Sequence, residues 1–385
     1  MPPTPIADGA GYRPLQIAFH TPLNLFDDGR ISGDRLMARQ IAAALAALGH
    51  RVEPVSQARS YLREPAPALL DERLAEARQR LAEIEAQWRA GAARPQLWFT
   101  YHSYYKAPDL LGPQVARRLK IPYVVAEASD SEGRAAGPWA RHVAIARAGF
   151  AAADLHLCFT ERDRQGIAPH LGPKARLLAF PPFILEAGPM RRAASPDTPP
   201  RLICVAMMRP GAKLDSYQAL GRVLAGALRH EWSLTIIGDG PEREAVRRAF
   251  QAIPPARIDW RGALPHEAVA EALAQHDLFI WPGLGEAYGL VYLEAQAAGL
   301  PVLAFASGGV PETLLPGETG LLAPERDERA LAAALDRLLG DPALRARMGK
   351  AAADHVRSAR MRDSACRILA EGFAMIGAGR EGGPA

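Results

Sequence analysis

Trp281-Pro-Gly-Leu-Gly-Glu286-Ala-Tyr-Gly289-Leu-Val-Tyr-Leu-Glu294-Ala-Gln-Ala-Ala-Gly299-Leu-Pro301 is the stretch on which the reading turns. It grows out of an apolar run, Asp277-Leu-Phe-Ile-Trp-Pro282, which is short, aromatic and ended by Pro-Gly, as a buried strand would be. Gly283 to Gly289 then forms a loop, and Leu290 to Ala298 a helix closed by Gly299 and Pro301. That helix is apolar or small nearly all round, so burial is expected. Apart from Tyr292, its one ionisable group is Glu294, and a carboxylate there is costly unless hydroxyls or cations satisfy it. The helix start, just after Glu286, offers free N–H groups and a positive dipole end that suit a phosphate. An anion site flanked by two carboxylates points to a ligand with phosphates and hydroxyls, such as a nucleotide sugar. The plainer alternative pairs Glu294 with a core arginine and leaves Glu286 solvated.

Outward from this stretch the chain alternates. Strand-like runs stand at Leu15–Phe19, Arg51–Val55, Gln96–Tyr101, Tyr123–Ala126, Leu155–Phe159 and Arg176–Phe180, and again at Leu202–Ala206, Leu234–Ile237, Ile258–Trp260, Leu278–Trp281 and Val302–Phe305. Helical stretches separate most of them, which predicts an α/β chain with two parallel, doubly wound sheets. At 385 residues the chain suits two domains. The polar, Pro-rich segment 187–200 is the expected linker between residues 1–186 and 201–354. Between Leu70 and Trp88 a charged helix carries one stripe, Leu70, Leu74, Ala77, Leu81, Ile84 and Trp88, expected to cover the first domain. Arg380–Ala385 is expected to be disordered.

Composition excludes several classes. A net charge of +4, from 46 basic and 42 acidic residues, is too small for a dedicated nucleic-acid binder. The three cysteines, Cys158, Cys204 and Cys366, have no metal-ligand spacing and fit a reducing cytoplasm. The N-terminus carries no signal-peptide pattern, and no run of eighteen apolar residues appears, so nothing is expected to span a membrane. Peripheral attachment to its inner face stays open. The scarcity of lysine beside arginine suggests a GC-rich bacterial genome.

Glu286 and Glu294, with seven residues between them in Glu-Ala-Tyr-Gly-Leu-Val-Tyr-Leu-Glu-Ala, resemble the signature of the retaining family 4 glycosyltransferases. Gly299-Leu-Pro-Val-Leu-Ala304, Ser307-Gly-Gly-Val-Pro-Glu312 and Gly317-Glu-Thr-Gly-Leu-Leu322 resemble that family in order and spacing. The likeness is close over 201–356 and weaker before it. It implies the GT-B architecture, two Rossmann-like domains facing a cleft, with residues 355–379 returning to the first domain. It implies a donor bound mainly by the second domain and an acceptor by the first.

Arg209 and Lys213, after the strand Leu202–Ala206, are candidate partners of a diphosphate leaving group. The family spaces its Arg and Lys by four residues, whereas three lie between them here. By resemblance, Gly262 and Leu264 flank the nucleobase, and Ala287, Tyr288, Gly289 and Leu290 line the donor loop. Glu286 meets donor-sugar hydroxyls, and Glu294 those of the ribose. In the first half, Ser32 and Gly33 open a helix where the backbone can approach phosphate or acceptor. His102 takes the place of a recurrent family histidine near the reacting centre. The second expected histidine is missing from Val124-Val-Ala-Glu127-Ala-Ser129, and whether Glu127 replaces it is open. Gly238-Asp-Gly-Pro241 lacks the third glycine of a dinucleotide fingerprint and fits a tight turn. No Asp-x-Asp triad or His/Cys cluster is present, so no metal and no cofactor beyond the co-substrate are expected. The expected partners are a nucleotide sugar and a glycan or lipid-linked acceptor; the oligomeric state is undetermined. An epimerase of the same architecture and a non-catalytic nucleotide- or sugar-binding module are the alternatives.

Overall fold

A computed structural model describes residues 13–26, 32–55, 59–191 and 198–379. The chain forms two compact units, one of residues 1–181 with 362–385 and one of residues 182–361.

The first unit runs β1 (Gln16–His20), α1 (Gly33–Ala47), β2 (Arg51–Pro54), α2 (Pro67–Arg89), β3 (Leu97–Tyr104), α3 (Gly112–Leu119), β4 (Tyr123–Ser129), α4 (Ala140–Ala152), β5 (Leu155–Cys158), α5 (Glu161–Ile167) and β6 (Arg176–Ala179). Its six strands are parallel, in the order β2-β1-β3-β4-β5-β6. The central strands are buried on both faces, as a sheet with helices on each side requires. The stripe of α2 packs as expected: Ala77 and Leu81 join the core under β3, and Leu70 packs with Leu62 and Trp139.

The second unit runs β7 (Arg201–Val205), α6 (Ala212–Gly226), β8 (Ser233–Ile237), α7 (Arg243–Ala249), β9 (Ile258–Gly262), α8 (His266–Leu273), β10 (Leu278–Ile280), α9 (Leu290–Ala297), β11 (Val302–Ala306), β12 (Gly320–Pro324), α10 (Glu328–Gly340) and α11 (Pro342–Ala359). These strands are also all parallel, ordered β12-β11-β10-β7-β8-β9, the doubly wound order of a dinucleotide-type fold. β12 was not expected as a strand. It is a half-buried edge with a glycine at its start and a proline at its end, so it lacks the apolar run that marks the others.

Unit boundaries differ from the expected ones at two places. α11 continues unbroken to Ala359, and the chain passes to the first unit only at Arg362, where α12 (Arg362–Met375) begins and packs against α1 and β6. Residues 355–361 therefore stay with the second unit. So do residues 182–186, expected in the first domain, and the described part of the linker: Arg191 N donates to Ala298 O at 2.8 Å, and its guanidinium pairs with Asp277 at 3.1 Å. The rest of the expected linker, 192–197, and Arg380–Ala385 lie outside the described residues. Cys158, Cys204 and Cys366 are all free and buried.

Candidate functional site

In each sheet the strand order reverses once, between β7 and β10 in the second unit and between β1 and β3 in the first. Loops at the carboxyl ends of such neighbours diverge to opposite faces and leave a crevice for ligands. The polar groups of interest stand at these two points.

In the second unit the β10–α9 loop is folded on glycines. Gly283 has φ +70°, and a Cβ there would lie 2.0 Å from Tyr292 Oη. Gly308, at φ +56°, passes so close to the loop that a Cβ would meet Glu286 O at 2.0 Å. Side chains from outside the motif complete the brace: Ser216 Oγ accepts from Leu284 N at 3.0 Å, and Ser307 Oγ from Gly285 N at 3.0 Å. The loop thus holds Glu286 on a fixed backbone. Its carboxylate accepts from Trp281 Nε1 at 2.9 Å and pairs with Lys213 Nζ. Glu286 is therefore not merely solvated.

Lys213 sits in the first turn of α6, where a cation opposes the helix dipole at a cost of roughly 0.3–1 kcal/mol. Glu286 and the Trp281 ring, 5.5 Å from Nζ, offset that cost. Arg209 is exposed in the β7–α6 loop and meets no carboxylate among the described residues. The Gly238–Pro241 turn braces this loop by backbone contact, with Met208 N donating to Asp239 O at 2.9 Å and Glu242 N to Met208 O at 3.0 Å.

α9 begins at Leu290 after Gly289, with Ala287 exposed and Tyr288 and Leu290 buried. Glu294 lies on its one accessible stripe. Among the described residues no core arginine meets it, and its acid–base partner is the exposed His266, at 3.9 Å. Burial raises its pKa, and His266 only partly opposes that. Gly262 closes β9 at a bulge that skips Arg261 in the pairing with β8, and its carbonyl accepts from Gly238 N at 2.7 Å. Leu264 packs on the edge of the core.

In the first unit Ser32 caps α1, its Oγ accepting from Arg35 N at 3.3 Å, and Gly33 opens the helix with nothing within 4 Å of a hypothetical Cβ. Asp34 follows. It accepts from Asn24 Nδ2 at 2.7 Å and lies 2.6 Å from His102 Nδ1. Glu127 Oε1 lies 3.8 Å from the same nitrogen. His102 and Glu127 stand opposite each other in register, between the pairs Tyr101–Ala126 and Ser103–Ala128. Both are non-glycine residues at positive φ, 62° and 57°, each costing about 1–3 kcal/mol. The paired departure from strand geometry turns the imidazole and the carboxylate together.

Burial alone would depress His102, but the Glu127 charge and the Asp34 hydrogen bond outweigh it and lift the imidazole to about 9. Burial pushes Glu127 up to about 7 against the pull of His102. Burial would raise Asp34, but the hydrogen bond and charge of His102, the Asn24 hydrogen bond and the Arg35 charge together hold it below the usual carboxylate range. The frame beneath is stiff: buried Asp109 accepts from Tyr123 Oη at 2.9 Å, Thr100 Oγ1 at 2.5 Å and the N–H groups of Leu111 and Gly112 at 2.8 Å.

The structure thus brings Lys213 beside Glu286, 73 residues on, and His102 beside Asp34, 68 residues back. Trp281, Ser216, Ser307 and Asn24 were not anticipated as site residues. Trp281 carried one signal, an indole donor at a strand end just before a loop with a carboxylate. Ser216, Ser307 and Asn24 carried none, since their partners are distant in sequence. Among the described residues one grouping has metal-ligand proximity, Asp130, Glu132 and His170, and Arg147 already pairs with both of its carboxylates.

Known proteins resemble this chain in sequence and in fold. A family described as glycosyl transferases group 1 matches residues 190–355. A GDP-mannose-dependent alpha-(1-6)-phosphatidylinositol monomannoside mannosyltransferase of Mycolicibacterium smegmatis is 32% identical over 292 residues, 70% of this chain and 71% of the relative. A GDP-mannose-dependent monoacylated alpha-(1-6)-phosphatidylinositol monomannoside mannosyltransferase of Corynebacterium glutamicum is 38% identical, over 42% of this chain and less than half, 43%, of the relative. Among solved structures, a sucrose-phosphate synthase of Thermosynechococcus elongatus superposes with a TM-score of 0.71 at 19% identity, over 94% of this chain and 99% of the other. Anabaena HepE, in complex with UDP and glucose, gives 0.65 at 15% identity, over 94% and 99%. At such identities these structures bear on the fold alone.

Proposed function

The chain belongs to the family 4 glycosyltransferases of GT-B fold, and from that premise we propose that it transfers a hexose, with retention at the anomeric carbon and without a metal ion, from a nucleoside-diphosphate sugar to a glycan or lipid-linked acceptor. The observation that carries the reading is the Lys213–Glu286 pair beside the start of α9. The first turn of α6 offers a cation there, and the β10–α9 loop offers the N–H groups of a helix start for a diphosphate and a carboxylate for sugar hydroxyls. Arg209, exposed in the neighbouring loop, is a second cation for the leaving group.

Glu286 orients the donor sugar, and Glu294, on the accessible stripe of α9, accepts from ribose hydroxyls. As the bond from the anomeric carbon to the phosphate oxygen breaks, negative charge grows on the diphosphate, where Lys213 stabilises it. The acceptor oxygen attacks from the same face, and its proton passes to the departing phosphate. Within the first unit His102 is held as a cation by Asp34 and Glu127.

No helix among the described residues is long and apolar enough to cross a membrane, so a lipid-linked acceptor would be met at the bilayer surface. The named relatives use GDP-mannose, which makes it the first donor to test. The purified chain is incubated with GDP- and UDP-sugars, with and without an acceptor panel, in EDTA. Acceptor-dependent release of nucleoside diphosphate, with an α product from an α donor by NMR, is the expected result. A β product removes retention, and loss of turnover restored by Mg²⁺ or Mn²⁺ removes metal independence. A new nucleotide sugar formed without acceptor makes the chain an epimerase.

A further inference from the structure

β3 runs beyond His102 into a turn, Tyr104-Tyr105-Lys106-Ala107, closed by Ala107 N to Tyr104 O at 2.9 Å and Tyr104 N to Ala107 O at 3.3 Å. The segment 59–62 lies along it, with Leu62 N donating to Lys106 O at 2.8 Å. Rings gather here. Tyr105 stands edge-on to Trp139 at 5.0 Å and to Tyr104 at 5.5 Å, and the Tyr104 ring lies 5.1 Å from that of His102. Leu62, Leu70 and Trp139 form a small core beneath Tyr105.

The group is fixed from below yet polar and accessible above. Tyr61, Tyr104 and Tyr105 are only half-buried, and none of their hydroxyls bonds to another described residue. Lys106 Nζ lies 5.5 Å from the Trp139 ring centre and 5.9 Å from that of Tyr105, and the Arg59 guanidinium lies 5.5 Å from that of Tyr61. Neither cation meets a carboxylate among the described residues, although most other site charges here are paired. Core packing does not require three phenols without hydroxyl partners and two cations without carboxylates, Arg59 giving its Nε–H only to Leu23 O at 2.9 Å. Flat apolar faces with hydroxyls at their rims match a sugar ring, whose C–H face is apolar and whose edge is hydroxylated. Unneutralised Lys and Arg match a phosphate.

We propose that Tyr61, Tyr104, Tyr105 and Lys106 form an acceptor subsite for a sugar ring that carries a phosphate, one ring away from His102. The proposal rests on the glycosyltransferase reading and names the acceptor chemistry within it. The phosphate belongs either to a free sugar phosphate or to a glycophospholipid head group.

Calorimetry on the full chain with mannose, mannose 6-phosphate, and phosphatidylcholine vesicles with and without phosphatidylinositol tests it. At least one phosphorylated probe should bind more tightly than its uncharged or zwitterionic counterpart. Lys106→Ala should weaken that binding about tenfold or more, the scale of a hydrogen bond to a charged group. Tyr105→Phe, which keeps the packing over Leu62, should weaken it several-fold. Preference for the soluble probe assigns a sugar phosphate, and preference for the vesicle assigns a head group. Equal binding of charged and uncharged probes, or a folded Lys106→Ala protein that binds as the wild type does, overturns the proposal. Binding of GDP and UDP to the wild-type chain in the same instrument tests the donor reading separately, so failure of one is not mistaken for failure of the other.

Discussion

The two sheets put their polar groups at equivalent topological points but build them differently. In the second unit a contiguous loop is shaped by glycines, braced by Ser216 and Ser307, and holds one carboxylate against one lysine. In the first unit four segments each contribute one group, Asn24, Asp34, His102 and Glu127, and the strain falls on non-glycine residues at the ends of two neighbouring strands. The first arrangement balances charge; the second sets two carboxylates on one imidazole. A site meant to receive a dianionic group gains from free N–H groups and a cation that the ligand can draw away from its resident partner. A site meant to present a fixed positive charge gains from surplus acid that keeps the proton in place.

That contrast is sharpened or broken by four measurements. The largest effect is expected at Lys213. Lys213→Ala should lower kcat by roughly 10²–10³ with little change in donor affinity, because the phosphate charge it meets grows in the transition state. Normal turnover in Lys213→Ala with a dead Arg209→Ala would move that role to Arg209. Next comes Glu294→Gln, expected to weaken nucleotide binding about ten- to a hundredfold while leaving the free protein at least as stable. Burial already disfavours the Glu294 charge, so neutralising it removes a cost. A drop in stability without a change in affinity would make Glu294 structural.

The third concerns the first unit. The folded-state pKa of His102, about 9, lies above its ordinary 6.5, so the folded chain holds this proton more tightly. The associated stabilisation is full below pH 6.5 and is lost as pH rises through about 9. NMR titration of the imidazole should give a midpoint near 9, and Glu127→Gln should lower it by about 1, a tenfold change in proton affinity. A wild-type midpoint near 6.5 would dissolve the contrast between the two regions. The smallest effect is the most discriminating in sign. Glu286→Gln should tighten GDP or UDP binding about three- to fivefold, since it frees Lys213 from a partly exposed pair. Weaker nucleotide binding in that variant would show that the pair does not compete with phosphate.

The sequence alone settled the α/β alternation, eleven of the twelve strands to within a few residues, the buried stripe of α2 and the loop between β10 and α9. Each of these rests on short-range signals: apolar runs, residue periodicity, and glycine and proline at turns. β12 escaped because a half-buried edge strand has no such run. Only tertiary structure decided that Lys213 meets Glu286, that Glu294 faces His266, and that Glu127 lies opposite His102 where a second histidine was expected. The same holds for the transfer of the chain between units at Arg362. These facts depend on which strands lie side by side and in what register. Strand neighbours are chosen by the packing of whole helices and sheets, and no local window of residues records that choice.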